Sequence, residues 1–275
     1  MHFGFVYPAS DPLKAVEHAL IAEQTGWDAF FVYESVWSTD PWVTLSHIAA
    51  RTERIRLGTM LTPLPVLSPW KLAAETATLD ALSNGRVILA VGLGAPDTGF
   101  ANFGLPTDRR TRAERLNEGL EIINGLWAGQ PFSFQGKHYT LKPTQFNPPP
   151  NPVQTRNGVP HIQTWVVGAW FSEKSMRRVI QYDGLIPNIL EGPPGPKPLL
   201  PTQVRDMRNW LDANQSGDAT IDIIVDGQTP AKEPGKHAEI VQPFVEAGAT
   251  WWIESMWDKS MKQVLDRLKK GPPKI

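Results

Sequence analysis

The chain has 275 residues, of which 41% are hydrophobic and 20% charged, with a formal net charge of −1. These proportions fit an ordinary soluble globular protein and remove the electrostatic case for nucleic acid or an anionic membrane as partner. Cysteine is absent, which excludes disulfides, thiolate metal sites and cysteine nucleophiles.

The first residues, MHFGFVYPASDPLK, are too polar for a signal peptide, and no apolar run approaches the ~20 residues of a membrane helix. A cytoplasmic location is therefore expected. FGFVY at 3–7 predicts a strand, and 11–25 a helix with Asp11 as its cap and Pro12 in its first turn. AFFV at 29–32 is the second strand, followed by a helix over 41–51 capped by Asp40. The third pair is a strand at 55–61 and a helix at 68–83, with Ser68 as cap and Pro69 at its first position. RVILAVGLG at 86–94 is the fourth strand, and 111–127 carries the longest helical pattern. FSFQGKHYTL, inside the segment 130–160, predicts an inserted hairpin around Gln135-Gly136. Alternation then resumes. Strands are expected at 161–168, 183–188, 220–227 and 249–255, with helices at 172–181, 203–214, 236–248 and 258–270. Pro243 falls inside the seventh helix. Eight strand–helix units without a second compositional block predict a single-domain (β/α)8 TIM barrel over residues 1–275, with an insertion around 130–160. An open doubly wound sheet is the competing arrangement.

In such a barrel, chemistry sits at the carboxyl ends of the strands. That rule selects Tyr7, the run Tyr33-Glu34-Ser35-Val36-Trp37, the run Thr59-Met60-Leu61, Gly92 to Asp97, Gly168-Ala169-Trp170, Pro187-Asn188, Asp226 and Glu254. This rim is apolar, aromatic and glycine-rich, with no lysine or histidine at a strand end. The six histidines show no metal-ligand spacing, so no metal site is expected. The rim suits a large planar ligand that brings its own reactivity.

TERIRLGTMLTPLPVLSPWKLAAETATLDALSNGRVILAVGLG (52–94) and RAERLNEGLEIINGLWAGQPFSFQGKHYTL (112–141) resemble the bacterial-luciferase-like flavin-dependent oxidoreductases. The resemblance returns in VVGAW and in EIVQPFVEAGATWWIE (239–254). It implies a (β/α)8 barrel holding FMN, or in one branch the deazaflavin coenzyme F-420, on its rim. The leading expectation is a monooxygenase using reduced FMN and oxygen on a small organic substrate, with a separate flavin reductase as supplier. The alternatives are a deazaflavin-dependent oxidoreductase and a non-catalytic flavin-binding relative. A homodimer through the second and third helices is also implied.

The resemblance assigns cofactor contact to Thr59, Met60, Leu61, Gly92, Gly94, Gly168, Ala169, Trp170 and Ser172, and the strand-end rule adds Tyr7. At Thr59-Met60-Leu61 it implies a bulge, often with a non-proline cis peptide, behind the flavin ring. Gly92 and Gly94 read equally as close packing at the barrel mouth, and Ser172 equally as a plain helix cap. Arg112 and Arg115 lie near enough in sequence to reach a phosphate or to form a solvated face. Glu75, Asp80 and Arg86 also match the family pattern, as ion pairs tying the third helix to the fourth strand. The second strand departs from the pattern. Many relatives place histidine after the acidic residue there, whereas here Ser35 follows Glu34. Serine cannot act as a general base at neutral pH. Glu34 takes the catalytic role if burial against Phe31 and Trp37 raises its pKa; a capping or ion-paired carboxylate is the other reading.

Overall fold

The computed structural model describes residues 1–34, 38–95, 99–149, 154–190, 198–215 and 220–275. In chain order the elements begin β1 (His2–Tyr7), α1 (Pro12–Gln24), β2 (Ala29–Val32), α2 (Pro41–Ala49), β3 (Arg56–Thr59), α3 (Pro69–Ser83) and β4 (Val87–Val91). Next come α4 (Arg109–Trp127) and two small hairpins, β5 (Phe132–Gln135) with β6 (Thr140–Thr144) and β7 (Thr155–Arg156) with β8 (Val159–Pro160). The second half holds β9 (Gln163–Trp170), α5 (Glu173–Val179), β10 (Gly184–Ile189), α6 (Pro201–Asn214), β11 (Asp222–Gly227), α7 (Lys236–Glu246), β12 (Trp251–Glu254) and α8 (Met261–Leu268).

Eight of the strands close into a barrel in the order β1-β12-β11-β10-β9-β4-β3-β2, and the registered neighbours are parallel. This is the expected (β/α)8 barrel. Parallel pairing demands a crossover between strands, and the helical stretches supply it on the outside. Strand alternation then sorts the apolar residues into two layers. Val6, Phe31, Ile88, Ala90, Trp165, Ile224, Trp251 and Ile253 fill the barrel. Phe5, Tyr7, Phe30, Val32, Leu57, Leu89 and Val91 point outward against the first helices. The large rings inside fit because small residues face them: a Cβ on Gly4 would lie 2.7 Å from Ile253, and one on Gly184 would overlap Trp165.

The helix starts follow the capping chemistry. Asp11 accepts from Leu13 and Lys14 N–H at 3.0 Å, and Asp40 accepts from Val43 N–H at 2.9 Å. Ser68 stands at the start of α3 but makes no side-chain capping bond. The start of α4 is earlier than expected because Asp108, accepting from Thr111 N–H at 2.6 Å, is its cap.

The insertion docks through one carboxylate. Glu118 on α4 accepts the backbone N–H groups of Lys137, His138 and Tyr139 at 2.9, 2.9 and 3.0 Å, satisfying the turn of the β5–β6 hairpin. The second hairpin turns at Asn157-Gly158, with φ of 52° and 76°, the conformation this dipeptide favours. Arg86 departs from the expected ion pairing. All five of its N–H groups are used on the Thr52 hydroxyl and the carbonyls of Ala49, Thr52, Ile55 and Ser83. It therefore fastens the ends of α2 and α3 to β4, and Glu75 pairs with Lys71 at 2.6 Å.

Candidate functional site

At the carboxyl ends of the barrel strands lies a cavity of about 1100 Å³. Its centre is apolar, with Met60, Leu61, Leu93, Val167, Ala169 and Ile186 among its walls. The floor depends on Gly92. A Cβ there would come within 2.8 Å of Val167 and 3.0 Å of Leu61, so only glycine lets those two side chains meet. The Met60–Leu61 peptide is cis, which is the geometry the family resemblance implied. The segment is pinned on both sides: Met60 N–H donates to Val32 O at 2.8 Å and Thr62 N–H to Ala90 O at 2.9 Å. Gly94 also lines the cavity, with φ of 79° and a Cβ position only 2.9 Å from Phe100 and Pro63. A side chain is excluded there on both grounds.

At one end of the cavity stands Glu34. It opens onto the space, yet protein encloses its other sides, and this loss of water pushes its carboxyl up to about 7. Asp40 and Glu75 push the same way, against a lowering hydrogen bond from Thr62. That bond runs from Thr62 Oγ1 to Glu34 Oε2 at 2.5 Å, and Thr59 Oγ1 lies 2.7 Å behind Thr62 Oγ1. Tyr33 and Trp257, ring centroids 6.0 Å apart, form an aromatic edge beside it.

Another part of the lining is cationic. Arg109, Arg110 and Arg112 come from the first turn of α4, and Lys174 and Arg178 from α5. Glu114 answers Arg110 at 3.2 Å, and is itself held down at about 2 by Lys137, then by His138 and Arg110. Arg112 is buried, stands over the Phe100 ring at 5.8 Å, and donates Nη1 to the carbonyls of Leu93 and Gly94 at 3.0 and 3.3 Å. Its Nε is buried with no partner among the described residues. A buried cation with a donor to spare suits an anionic group. Among the described residues no group of three or more His, Asp or Glu is placed to hold a metal ion.

The structure gathers Glu34, Met60, Leu61, Gly94, Ala169 and Ser172 around this cavity. Ser172 makes no capping bond with its hydroxyl. Four expected contacts fall elsewhere. Tyr7 faces the helix layer, its ring 5.1 Å from that of His18, because odd positions of β1 point outward. Gly168 faces out as well, where a Cβ would collide with Leu185 and approach Val179 and Met176. Trp170 turns outward with the cluster around Leu185 and Met176. Thr59 is fully buried behind Thr62 rather than on the cavity wall. Ser35, Trp37 and Asp97 lie outside the described residues. Of the two arginines considered for a phosphate, Arg115 is not on the cavity lining; it stands over the Tyr139 ring at 5.2 Å and donates Nε to that residue's hydroxyl at 2.9 Å. Glu254 is no rim acid either. It is buried and accepts from Thr229 and the buried Arg267.

Among the residues that sequence reading missed are Lys174 and Arg178. They sit within the helix after the fifth barrel strand, where a 3.6-residue period places them one turn apart on one face. That spacing was available in SEKSMRRV, but only the closed barrel aims it at the cavity.

A parallel barrel with its ligand cavity over the carboxyl ends of its strands, apolar in the middle and charged at the margins, defines the class of protein. Comparison with known proteins narrows this. A model of the family described as luciferase-like monooxygenase matches residues 2–200. The chain belongs to the luciferase-like monooxygenase family of oxidoreductases. It is 33% identical over 168 residues to the F420-dependent glucose-6-phosphate dehydrogenase of Nakamurella multipartita, covering 56% of this chain and 49% of that one. The chain spans about half the length of the first curated relatives it matches. Two solved structures share its fold over nearly their whole length. One is the coenzyme F420 dependent tetrahydromethanopterin reductase of Methanopyrus kandleri, with a TM-score of 0.75 at 16% identity, covering 98% of each chain. The other is the monooxygenase RslO1 of Streptomyces bottropensis, with a TM-score of 0.72 at 18% identity, covering 98% of this chain and 97% of that one.

Proposed function

We propose that this chain is a deazaflavin-dependent oxidoreductase that acts on a small organic substrate at the rim cavity. The single observation that carries the reading is the cavity's division into an apolar centre and a strongly cationic wall. Arg109, Arg112, Lys174 and Arg178 bring more positive charge than one phosphate requires. A planar ring with a long anionic chain satisfies both halves. The deazaflavin name of the 33%-identical relative supports the same choice over reduced FMN with oxygen. The resemblance put FMN first, and this combination reverses the order.

Met60, Leu61 and Val167 would lie against the ring, and Ser172, Lys174 and Arg112 would hold the anionic chain. When bound, the deazaflavin supplies the hydride-accepting ring. The chain's own residues do the rest. Apolar walls exclude water, which strengthens the polar interactions that remain. Glu34, with a carboxyl near neutrality, is placed to hold or give up a proton within the working pH range. The reading needs no histidine after the second strand.

FMN remains the second reading, favoured by the family's monooxygenase description. Titration of the protein with each oxidised cofactor, followed by quenching of its 11 tryptophans, separates the two. Tighter binding of the deazaflavin is expected. Tighter binding of FMN would move the assignment to the monooxygenase, and binding of neither would overturn both.

A further inference from the structure

We propose that Thr62, backed by Thr59, is a positioning residue that decides which oxygen of Glu34 carries its exchangeable proton. The inference rests on the reading of Glu34 as the proton-handling group of the cavity. Its basis is the direction of the hydrogen bonds. Thr62 Oγ1 donates to Glu34 Oε2 at 2.5 Å. A hydroxyl has one proton to give, so in the 2.7 Å contact between the two threonines it is Thr59 that donates. Both threonines are fully buried. Thr59 Oγ1 has no second partner among the described residues, so the chain Thr59 to Thr62 to Glu34 runs one way. Reversing it would leave the Thr59 proton without an acceptor in a buried site, a costly arrangement.

Oε2 is therefore held as an acceptor in both protonation states. When Glu34 takes up a proton, the proton goes to Oε1, which has no hydrogen-bond partner among the described residues on a side chain that lines the cavity. The acid is presented to the ligand and not to the protein interior. Backbone bonds keep the arrangement in place. Thr62 N–H donates to Ala90 O at 2.9 Å, and Thr62 O accepts from Gly92 N–H at 3.1 Å. The threonine thus rides on β4 and not on a free loop.

The other charges around Glu34 are Asp40 at the cap of α2 and Glu75 on α3, which hold the proton on. The adjacent Tyr33 and, further round, Arg109, Arg110, Arg112, Lys174 and Arg178 with Asp108 and Glu114 lie on the lining of the same cavity. Replacing Thr62 alters none of these.

The test uses the full chain without cofactor, so it is independent of which cofactor binds. Infrared difference spectra across pH follow the carbonyl band of protonated Glu34, identified as the band that Glu34→Gln removes. Thr62→Val keeps the side-chain shape and deletes the donor, and it should move the midpoint up by roughly one pH unit. Thr62→Ser should restore it, and Thr59→Val should produce a smaller upward move. The band of protonated wild type should also show a carbonyl that accepts a strong hydrogen bond, because Oε1 protonation leaves Oε2, the acceptor of the Thr62 hydroxyl, as the carbonyl oxygen, and Thr62→Val should move that band to higher frequency. An unchanged midpoint in Thr62→Val, with the folded state verified by circular dichroism, would overturn the proposal. So would a failure of serine to rescue. If Glu34→Gln removes no band that titrates near neutrality, Glu34 is not the proton-handling group and the proposal falls with it, whatever the cofactor titration gives.

Discussion

Replacing Glu34 by glutamine should make the protein more stable above neutral pH and leave it nearly unchanged at or below pH 4.5, the carboxyl's ordinary value. The reason is thermodynamic linkage. Glu34 is raised from its ordinary value of 4.5 to about 7 in the fold, chiefly by loss of water. The folded state therefore binds a proton more tightly than the unfolded chain between those two values. As pH rises through that window the proton is lost, and the fold must hold an ionised carboxylate in a poorly solvated place. A shift of this size corresponds to about 3 kcal/mol, and the side chain's opening onto the cavity lets solvent screen it, so roughly 1–2 kcal/mol is the expected cost above pH 7. Glutamine accepts from Thr62 as the carboxylate does but carries no charge. Chemical denaturation of both proteins, at one pH well below the window's upper edge and one above it, measures the effect as a difference of differences. All other titrating groups cancel. A stability gap between the two proteins that does not grow from the lower to the higher pH would refute the assignment of a desolvated carboxyl to Glu34.

Arg112→Gln should weaken binding of the anionic cofactor by about tenfold or more and flatten the dependence of Kd on salt, read by the same fluorescence titration. Arg267→Met should destabilise the fold by about 3–5 kcal/mol, because it strands the buried Glu254 without its cation; thermal denaturation should show a correspondingly lower Tm. Glu118→Ala removes the acceptor of three backbone N–H groups in the inserted hairpin. Limited proteolysis should then cut near residues 136–139 well before the barrel is attacked, whereas the parent chain should be cut there no faster than elsewhere.

The barrel was legible because its signal is repetitive. Each strand is a short apolar run, each helix except α7 begins at a proline, aspartate or serine that can start one, and eight repeats average out errors at the boundaries. The errors that remain have local causes. The helix α5 is shorter than its pattern, seven residues from Glu173 to Val179, and β9 extends to Trp170 beyond the expected end. The tiny β7–β8 hairpin was signalled by Asn157-Gly158 but hidden in a proline-rich stretch. Orientation was the least legible property. Tyr7, Gly168 and Trp170 were chosen for lying at strand ends, but a strand end has two sides. Register decides which side faces the cavity, and it is fixed by pairing between segments distant in sequence: Tyr7 with Val32, and Gly168 with Pro187.

The same limit explains why Glu34 could be suspected from the sequence while its partners could not. A carboxylate closing an apolar strand is visible in one segment, but the hydroxyls that orient it come from the end of the next barrel strand, 28 residues away for Thr62. Thr59 and Thr62 flank the cis Met60–Leu61 pair, so the segment that floors the cavity also carries the donors that set the acid. Apolar floor and proton chemistry are thus built into one stretch of backbone, held to β2 on one side and to β4 on the other. A substitution in that stretch that disturbs ring binding should therefore also shift the Glu34 titration. Substitutions on the cationic wall, at Arg109 or Lys174, should change affinity and leave the titration where it was. That separation distinguishes a site with two independent halves from one in which the anion-binding wall tunes the acid through the cavity.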